Sequence, residues 1–390
     1  MNKLKNGNVL IGQKHERTKN EKKNKSLKVE NEKDFLKNHS EFKNMQYIKL
    51  NTHNSEYFNN FSPKIEFVSF KSKNNISFFI CLIEKDIICY DINSQVITTI
   101  IKNVHQDSGF DNTLNYLYDK KNNRDLILLV YCNNAKIFDI YNWSCISNLS
   151  FKKNIKFLKT AHLIEYHNEI CIVNSSSTYK GRIFIVQIIN LKGSIIKKIE
   201  IKENINDFYQ NRFLDVIYDK NLKKYFIIAS NLYFPEKSKN LLEINQSVES
   251  IDIKKNKIFH KYNISNTEDI ENEIYFLEKN NNQINLIELV KEGKLYIWNF
   301  HTGELIKAFN FDVNIKAICL WNNNYIFIKN KKNIYLFDLK NEKIFDFFHI
   351  EAYNIFSFSK ANHRLYGDCL IISNFNVKNF SKSIRLIKFG

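Results

Sequence analysis

Few stretches of this 390-residue chain combine residue types that do chemistry. The run "HLIEYH" carries His162, Glu165 and His167, two imidazoles and a carboxylate of the kind that bind zinc. Such ligands need a helical spacing or a third partner held close by. On a strand, positions five apart face opposite sides, so these read as edge or turn histidines. The run "NSSSTYKG" (174–181) offers hydroxyls for a nucleophile or a phosphorylation site. No paired His or Asp adjoins it, so a polar loop between strands is the expectation. Glu271 and Glu273 sit in "TEDIENEI", a solvated acidic turn rather than the enclosed site that acid–base catalysis needs. G-x-S-x-G, G-x-G-x-x-G and Walker patterns are absent, and with only 9 Gly there is little room for a phosphate-cradling turn. Trp143, Trp298 and Trp321 read as structural. The expectation is a protein without catalytic residues, metal or cofactor.

The elements that would carry these residues are strands. From about residue 45 onward, apolar runs of five to eight residues alternate with Asn/Lys/Asp turns, and no 3.6-residue stripe is sustained. Phe, Tyr and Ile favour strands. With 9 Gly and 2 Pro, the turns fall to Asn and Asp, which tolerate left-handed backbone. One hairpin shape recurs: an alternating run, a polar anchor, a short turn, a second run. It is clearest in "GKLYIWNFHTGELIKAF" (293–309) and returns in "DIICYDINSQVITTI", "AKIFDIYNWSCISNL", "VESIDIKKNKIFHKYNI" and "KNIYLFDLKNEKIFDFF". The anchors are Asp91, Asp139, Gln187, Asp252, Asn299, Asp338 and Lys388, at intervals of 48, 48, 65, 47, 39 and 50. Two further strand-like runs precede each hairpin. Four antiparallel strands per period, repeated seven times, predict an all-β, seven-bladed β-propeller. The last copy, "KSIRLIKFG", has no partner strand after it. A closed ring hides its edges, so residues 45–51 are expected to supply the outer strand of the seventh blade.

Composition bounds the rest. The formal charge of +17 is compatible with nucleic acid, acidic lipid or acidic protein. Lys, Asn, Ile and Phe are all inflated together, as AT-rich coding produces. Arg, the residue of bidentate phosphate and base contacts, occurs only at 17, 124, 182, 212, 364 and 385. Seven Cys, an odd number, lack C-x-x-C and sit partly inside apolar runs (Cys81, Cys132, Cys171), which suggests reduced thiols in the cytosol or nucleus. No signal-like apolar segment opens the chain, and no run reaches the roughly 18 residues of a membrane span. Residues 1–43 are charged and poor in aromatics, and are expected to be a disordered basic tail before a propeller over 44–390.

The repeat resembles that of WD40-repeat proteins. "LYIWNFHTGELIKAF" is similar to the family's "IWD…TGE" hairpin, and "IFDI", "IYLFDL" and "SIDI" are weaker versions. The resemblance covers about residues 65 to 389 and implies a WD40-like propeller serving as a protein-interaction scaffold. This sequence departs from the pattern in several places. The Gly-His before each repeat is missing, and the tight-turn Asp is Glu292 in the best copy. The family's Trp–Ser–His–Asp network cannot be assembled, because Trp298 faces Glu288 or Val290 where Ser is expected. Blades would therefore rest on Phe/Tyr/Ile packing, and six or eight blades stand as alternatives to seven. The Phe-Arg-Arg-Gly signature of phosphoinositide-binding propellers is absent.

Partner binding is expected in loops. The long interval before Asp252 holds an insertion, 231–247, between the second and third strands of its blade. The preceding blade's equivalent loop is "NSSSTYKG". Tyr179, Lys180, Arg182, Tyr233, Phe234 and Lys237 would then form a joint aromatic and basic patch for other proteins. The main alternative is a nucleic-acid-associated propeller in RNA processing or ribosome assembly. A propeller hydrolase ranks third and would require a central cluster of His, Asp and Glu.

Overall fold

The structure, a computed structural model, describes residues 25–27, 29–30 and 46–49 and most of 66–389; within the latter the longest stretches outside the description are 105–112, 151–160, 178–182, 203–207, 235–244, 264–271 and 377–381. Strands β1 (Lys25–Leu27), β2 (Val29–Glu30) and β3 (Gln46–Lys49) come first in the chain. Blade I then holds β4 (Glu66–Lys71), β5 (Ser77–Ile83), β6 (Asp86–Asp91) and β7 (Val96–Ile101). Blade II holds β8 (Thr113–Asp119), β9 (Arg124–Tyr131), β10 (Asn134–Asp139) and β11 (Cys145–Ser150). Blade III holds β12 (His162–Tyr166), β13 (Glu169–Ser177), β14 (Ile183–Asn190) and β15 (Ile195–Lys202). Blade IV holds β16 (Phe208–Asp219), β17 (Lys224–Phe234), β18 (Asn245–Asp252) and β19 (Lys257–Asn263). Blade V holds β20 (Asn272–Glu278), β21 (Ile284–Val290), β22 (Lys294–Asn299) and β23 (Leu305–Phe311). Blade VI holds β24 (Ala317–Leu320), β25 (Tyr325–Lys329), β26 (Asn333–Asp338) and β27 (Lys343–His349). Blade VII takes β28 (Tyr353–His363), β29 (Gly367–Asn376) and β30 (Lys382–Lys388) from the end of the chain and β3 from near its start.

Each blade is an antiparallel meander, and the seven together form a β-propeller. First strands of neighbouring blades meet around the ring: β4 touches β8, β8 touches β12, β16 touches β20, β20 touches β24, and β28 returns to β4. The expected closure is present, with Gln46 opposite Lys388 and Lys49 opposite Arg385.

Second strands are buried on both faces, which is why they read as continuous apolar runs rather than alternating ones. Along β9, Leu126, Leu128 and Val130 enter the seam with blade III, while Ile127, Leu129 and Tyr131 enter the seam with blade I. Along β25, Ile326 and Ile328 face blade V, and Tyr325 and Phe327 face blade VII. The period-2 alternation of a strand thus builds two cores at once.

Turn chemistry sets the register. At the end of the third strand, Asp91 accepts from the Asn93 N–H at 2.8 Å, Asp139 from Tyr141 at 2.9 Å, Asp252 from Lys254 at 2.8 Å, Asn299 from His301 at 2.9 Å and Asp338 from Lys340 at 2.9 Å. These are Asx turns, in which the side chain replaces a missing backbone acceptor. In blade III the residue with this role is Asn190, which accepts from Lys192 and Ser194 at 3.1 and 2.9 Å. Gln187 lies three residues earlier, buried inside β14 opposite Asn174. The third anchor therefore moves to 190, because Ile188 and Ile189 continue the strand past the Gln.

The Trp position of blade V is filled differently from the WD40 pattern. The Trp298 indole N–H donates to Glu288 Oε2 at 3.3 Å, and both residues are buried. A carboxylate on the second strand thus stands where the family places Ser.

Within the stretch expected to be disordered, β1 pairs in parallel with β23 and β2 in parallel with β27, adding a fifth strand to blades V and VI. The other residues of 1–43 lie outside the described residues.

Candidate functional site

In a four-strand meander, the turns joining strands 1–2 and 3–4 emerge on one face and the 2–3 turns on the other. The first face carries a cleft. It spans blades II to IV, encloses about 730 Å³, and is walled by Tyr118, Tyr166, Tyr218 and Tyr225. Among the described residues, five lysines line it, Lys120, Lys197, Lys223, Lys224 and Lys254, with Glu165 as the carboxylate in that lining.

The repeat itself positions the tyrosines. Tyr118, Tyr166 and Tyr218 end, or nearly end, the first strands of three consecutive blades. In blades V and VI the last two residues of the first strand are Leu277–Glu278 and Cys319–Leu320. Behind the tyrosines the turns are fixed by buried Asp residues. Asp119 accepts from the Asn122 N–H at 3.2 Å and from Arg124 Nε at 2.9 Å, and Asp219 accepts from Asn221 and Leu222. Burial pushes the Asp119 carboxyl up, but hydrogen bonds from Asn122 and Arg124 outweigh it and hold the group below its ordinary value. Blade III makes the same connection in two residues, His167 and Asn168, with φ of 51° and 62°. Two successive left-handed residues are the mark of a type I′ hairpin, whose twist matches that of the strands.

The rings pack on one another. Tyr166 meets His167 edge-on at 4.2 Å, and Tyr218 meets Tyr225 at 4.8 Å. Tyr225 also ties blade IV to blade III, its hydroxyl accepting from the Glu165 N–H at 3.2 Å. Burial pushes the Tyr166 and Tyr225 phenols up, so both stay neutral at physiological pH. Lys224 is paired with Asp252 at 3.3 Å, and Lys197 donates to the Lys254 carbonyl at 3.3 Å. Lys120, Lys223 and Lys254 are exposed. A smaller cleft of about 250 Å³ adjoins, sharing Glu165 and Asn168 and edged by Arg124, Lys121 and Lys192.

A second cluster lies on the inner strands of the same three blades. His162 Nδ1 is 3.3 Å from Asn115 Nδ2 and 3.4 Å from Asp215 Oδ1. Burial lowers the His162 pKa against the pull of Asp215. Burial raises that of Asp215 against His162 and the Val216 N–H, so both groups are pushed toward their neutral forms. His167, by contrast, sits in the exposed turn, and Glu165 lines the cleft. The "HLIEYH" trio is therefore dispersed. No group of three or more His, Cys, Asp or Glu able to hold a metal is present among the described residues.

The aromatic and basic patch read from the sequence falls largely outside the described residues. Tyr179, Lys180, Arg182 and Lys237 are in that part of the chain, and Tyr233 and Phe234 close β17. The second-to-third connections of blades III and IV are topologically equivalent. The hairpin of blade IV runs further than read from sequence, with Tyr233 opposite Asn245. By strand order these connections emerge on the face opposite the tyrosine cleft.

Sequence reasoning missed the cleft and the His162–Asp215 contact. The recurring "YDK" at 118–120 and 218–220, with Tyr166 between, was the available signal.

Fold and site together define a seven-bladed β-propeller with a basic, tyrosine-walled cleft over three blades. No family model and no curated protein matches the chain. No helix among the described residues is long and apolar enough to cross a membrane.

Proposed function

We propose that this protein is a non-catalytic interaction scaffold of the WD40 type, a subunit or adaptor of a larger complex in the cytosol or nucleus, and that the cleft over blades II–IV docks an acidic protein segment. The lining of that cleft carries the reading: among the described residues, four tyrosines and five lysines with Glu165 as the carboxylate, displayed by turns of a closed ring. Tyrosine supplies contact area at low entropy cost, and the lysines steer an acidic partner. Three of the four rings, Tyr166, Tyr218 and Tyr225, engage one another or His167 instead of standing apart as base-stacking platforms, which favours a protein segment over nucleic acid.

Affinity purification of the full chain from its own cells, compared with Lys120→Glu/Lys223→Glu/Lys254→Glu, tests the reading. A protein partner held by the wild type and lost by the variant is expected. An unchanged partner set overturns it. Recovery of RNA with steep salt dependence would instead establish the nucleic-acid alternative. The patch around Tyr179, Lys180, Arg182, Tyr233, Phe234 and Lys237 is a second proposed contact on the opposite face. Replacing 235–244 with a Gly/Ser linker of equal length, which keeps a loop for the β17–β18 hairpin, should release a different partner.

The His162–Asp215 contact favours a second reading, hydrolytic chemistry on the inner strands. Turnover of model esters by the full chain, abolished in His162→Asn, would establish it.

A further inference from the structure

We propose that the segment docked in the cleft over blades II–IV carries one apolar side chain flanked by carboxylates, and that it lies across a saddle formed by blade III. This deepens the cleft reading given above and rests on it.

The saddle comes from turn length. Leu126, Cys171 and Phe226 stand at one level of the repeat, opposite Asp139, Asn190 and Asp252 of their third strands. Beyond that level, the last pairs of the first hairpins are Asp119–Arg124, Tyr166–Glu169 and Asp219–Lys224. Blades II and IV therefore close with four residues, 120–123 and 220–223, and blade III with two, 167–168. A shorter turn projects less, so blade III stands low between two higher walls. The large cleft lies over this low blade, lined by Tyr118 and Lys120 from one wall and by Tyr218 and Lys223 from the other.

The two walls offer different surfaces. Tyr218 is 45 % exposed and Leu222 41 % exposed, both at the blade IV wall. The position of Leu222 in the blade II turn is taken by Asn122. Tyr218 packs on Tyr225 at 4.8 Å, and its exposed remainder is surface that an incoming apolar side chain would cover. The wall is held in place. Asp219 accepts from the Asn221 and Leu222 N–H groups at 2.8 and 3.0 Å, and His301 of blade V reaches the same carboxylate at 2.6 Å. A turn fixed before binding loses little freedom on binding. The apolar anchor of the partner therefore belongs at blade IV.

Charge sets what flanks the anchor. Lys224 is paired with Asp252, which leaves Lys120 on blade II, Lys197 on blade III and Lys223 and Lys254 on blade IV, with Glu165 among them. The Lys120, Lys223 and Lys254 ammonium groups pair with no described residue. Charges spread over three blades match carboxylates spaced along a chain better than one compact anion. The smaller cleft is balanced, with Lys121, Arg124 and Lys192 against Asp119, Glu165 and Glu169. The acidic requirement is thus confined to the large cleft.

The test uses the full chain at physiological ionic strength, where screening limits charge effects to about 8 Å. The probe is a fluorescein-labelled twelve-residue peptide of Gly, Ser and four Glu around one central Leu. Exchanging its Leu for Ser, or its Glu for Gln, is expected to weaken binding at least tenfold by anisotropy. Leu222→Ser, at an exposed turn position, and Tyr218→Ser should each weaken the Leu probe at least threefold and leave the Ser probe unchanged. Lys223→Glu/Lys254→Glu should weaken both probes at least tenfold, and Lys121→Glu/Lys192→Glu in the small cleft less than threefold. Hydrogen exchange should show the Leu probe protecting 118–124 and 218–225 together. Equal binding of the Leu and Ser probes, or indifference of the Leu probe to Leu222→Ser and Tyr218→Ser, overturns the apolar anchor and leaves the acidic reading standing. Protection at blade IV alone overturns the saddle. Binding of neither acidic probe overturns this proposal and the cleft reading together. Displacement of the Leu probe by a twelve-nucleotide RNA with steep salt dependence assigns the cleft to nucleic acid and likewise overturns both.

Discussion

Blades II–IV and blades V–VII solve the same packing problem with different residues. The II/III seam is aliphatic, built on Leu126, Leu128, Val130, Ile137, Leu163 and Ile172. The VI/VII seam is rich in aromatic rings, and the V/VI seam sets rings among Ile and Leu. Phe337 stands edge-on to Phe309 and Phe311 at 4.9 and 5.1 Å, and Trp321 and Phe327 pack on Phe389 at 4.9 and 5.6 Å. That half also receives the described strands that precede blade I: β1 on V, β2 on VI and β3 on VII. The other half places tyrosines at its turns, where they wall the cleft. One half closes the ring and the other half displays a surface. Aromatic side chains serve both ends by their position along the strand: buried at mid-strand, half-exposed at the turn.

The comparison breaks first at Phe337. Truncation to Ala removes a fully buried ring from two edge-to-face contacts and should cost about 3–5 kcal/mol. Leu128→Ala in the aliphatic seam should cost less, about 2–4 kcal/mol. Urea unfolding of both decides the matter, and an equal or larger loss at Leu128 would dissolve the distinction. Next comes Trp298→Phe, which deletes the hydrogen bond to buried Glu288 and should cost about 1–3 kcal/mol by the same measurement.

Turn anchors come third. Asp252→Ala removes an acceptor for the Lys254 and Lys255 N–H groups and should cost about 0.5–2 kcal/mol, with Asn190→Ala similar and Gln187→Asn without effect on the turn. Asp119 adds a pH signature. Its folded pKa is depressed, so its contribution is present above the unfolded value near 3.8 and is lost as pH falls through the folded one. Arg124→Leu should shrink that contribution, lowering the urea midpoint at pH 6, with the difference fading as pH falls through the depressed folded pKa. The smallest perturbation is chemical. Burial pushes the Cys89 and Cys319 thiols up to about 12 and Cys171 up to about 11, whereas Cys145 is exposed. Iodoacetamide at pH 8 should label Cys145 and leave the other three intact, by peptide mass mapping.

The ring was legible because its turns need a specific chemistry. An Asp or Asn must end the third strand to cap the turn, so Asp91, Asp139, Asp252, Asn299 and Asp338 stood out by type and spacing. Where the strand ran on through Ile188 and Ile189, the polar residue inside it misled the reading by three positions. Closure pairs β3 with β30, Gln46 opposite Lys388. The cleft was hidden because Tyr118, Tyr166 and Tyr218 look like any strand aromatics until three blades are set side by side. His162 and Asp215 lie 53 residues apart and meet only across a blade boundary. The added strands β1 and β2 carry no apolar pattern to find, since an edge is satisfied by main-chain bonds alone.

Blade VII joins strands drawn from opposite ends of the described chain, Gln46–Lys49 with Lys382–Lys388. Because the ribosome releases its product from one end, β3 emerges long before its mate has been translated. For that interval blades I–VI form an open arc with two raw sides, and the nascent molecule depends on whatever shields them until Ile387 appears and the circle can shut.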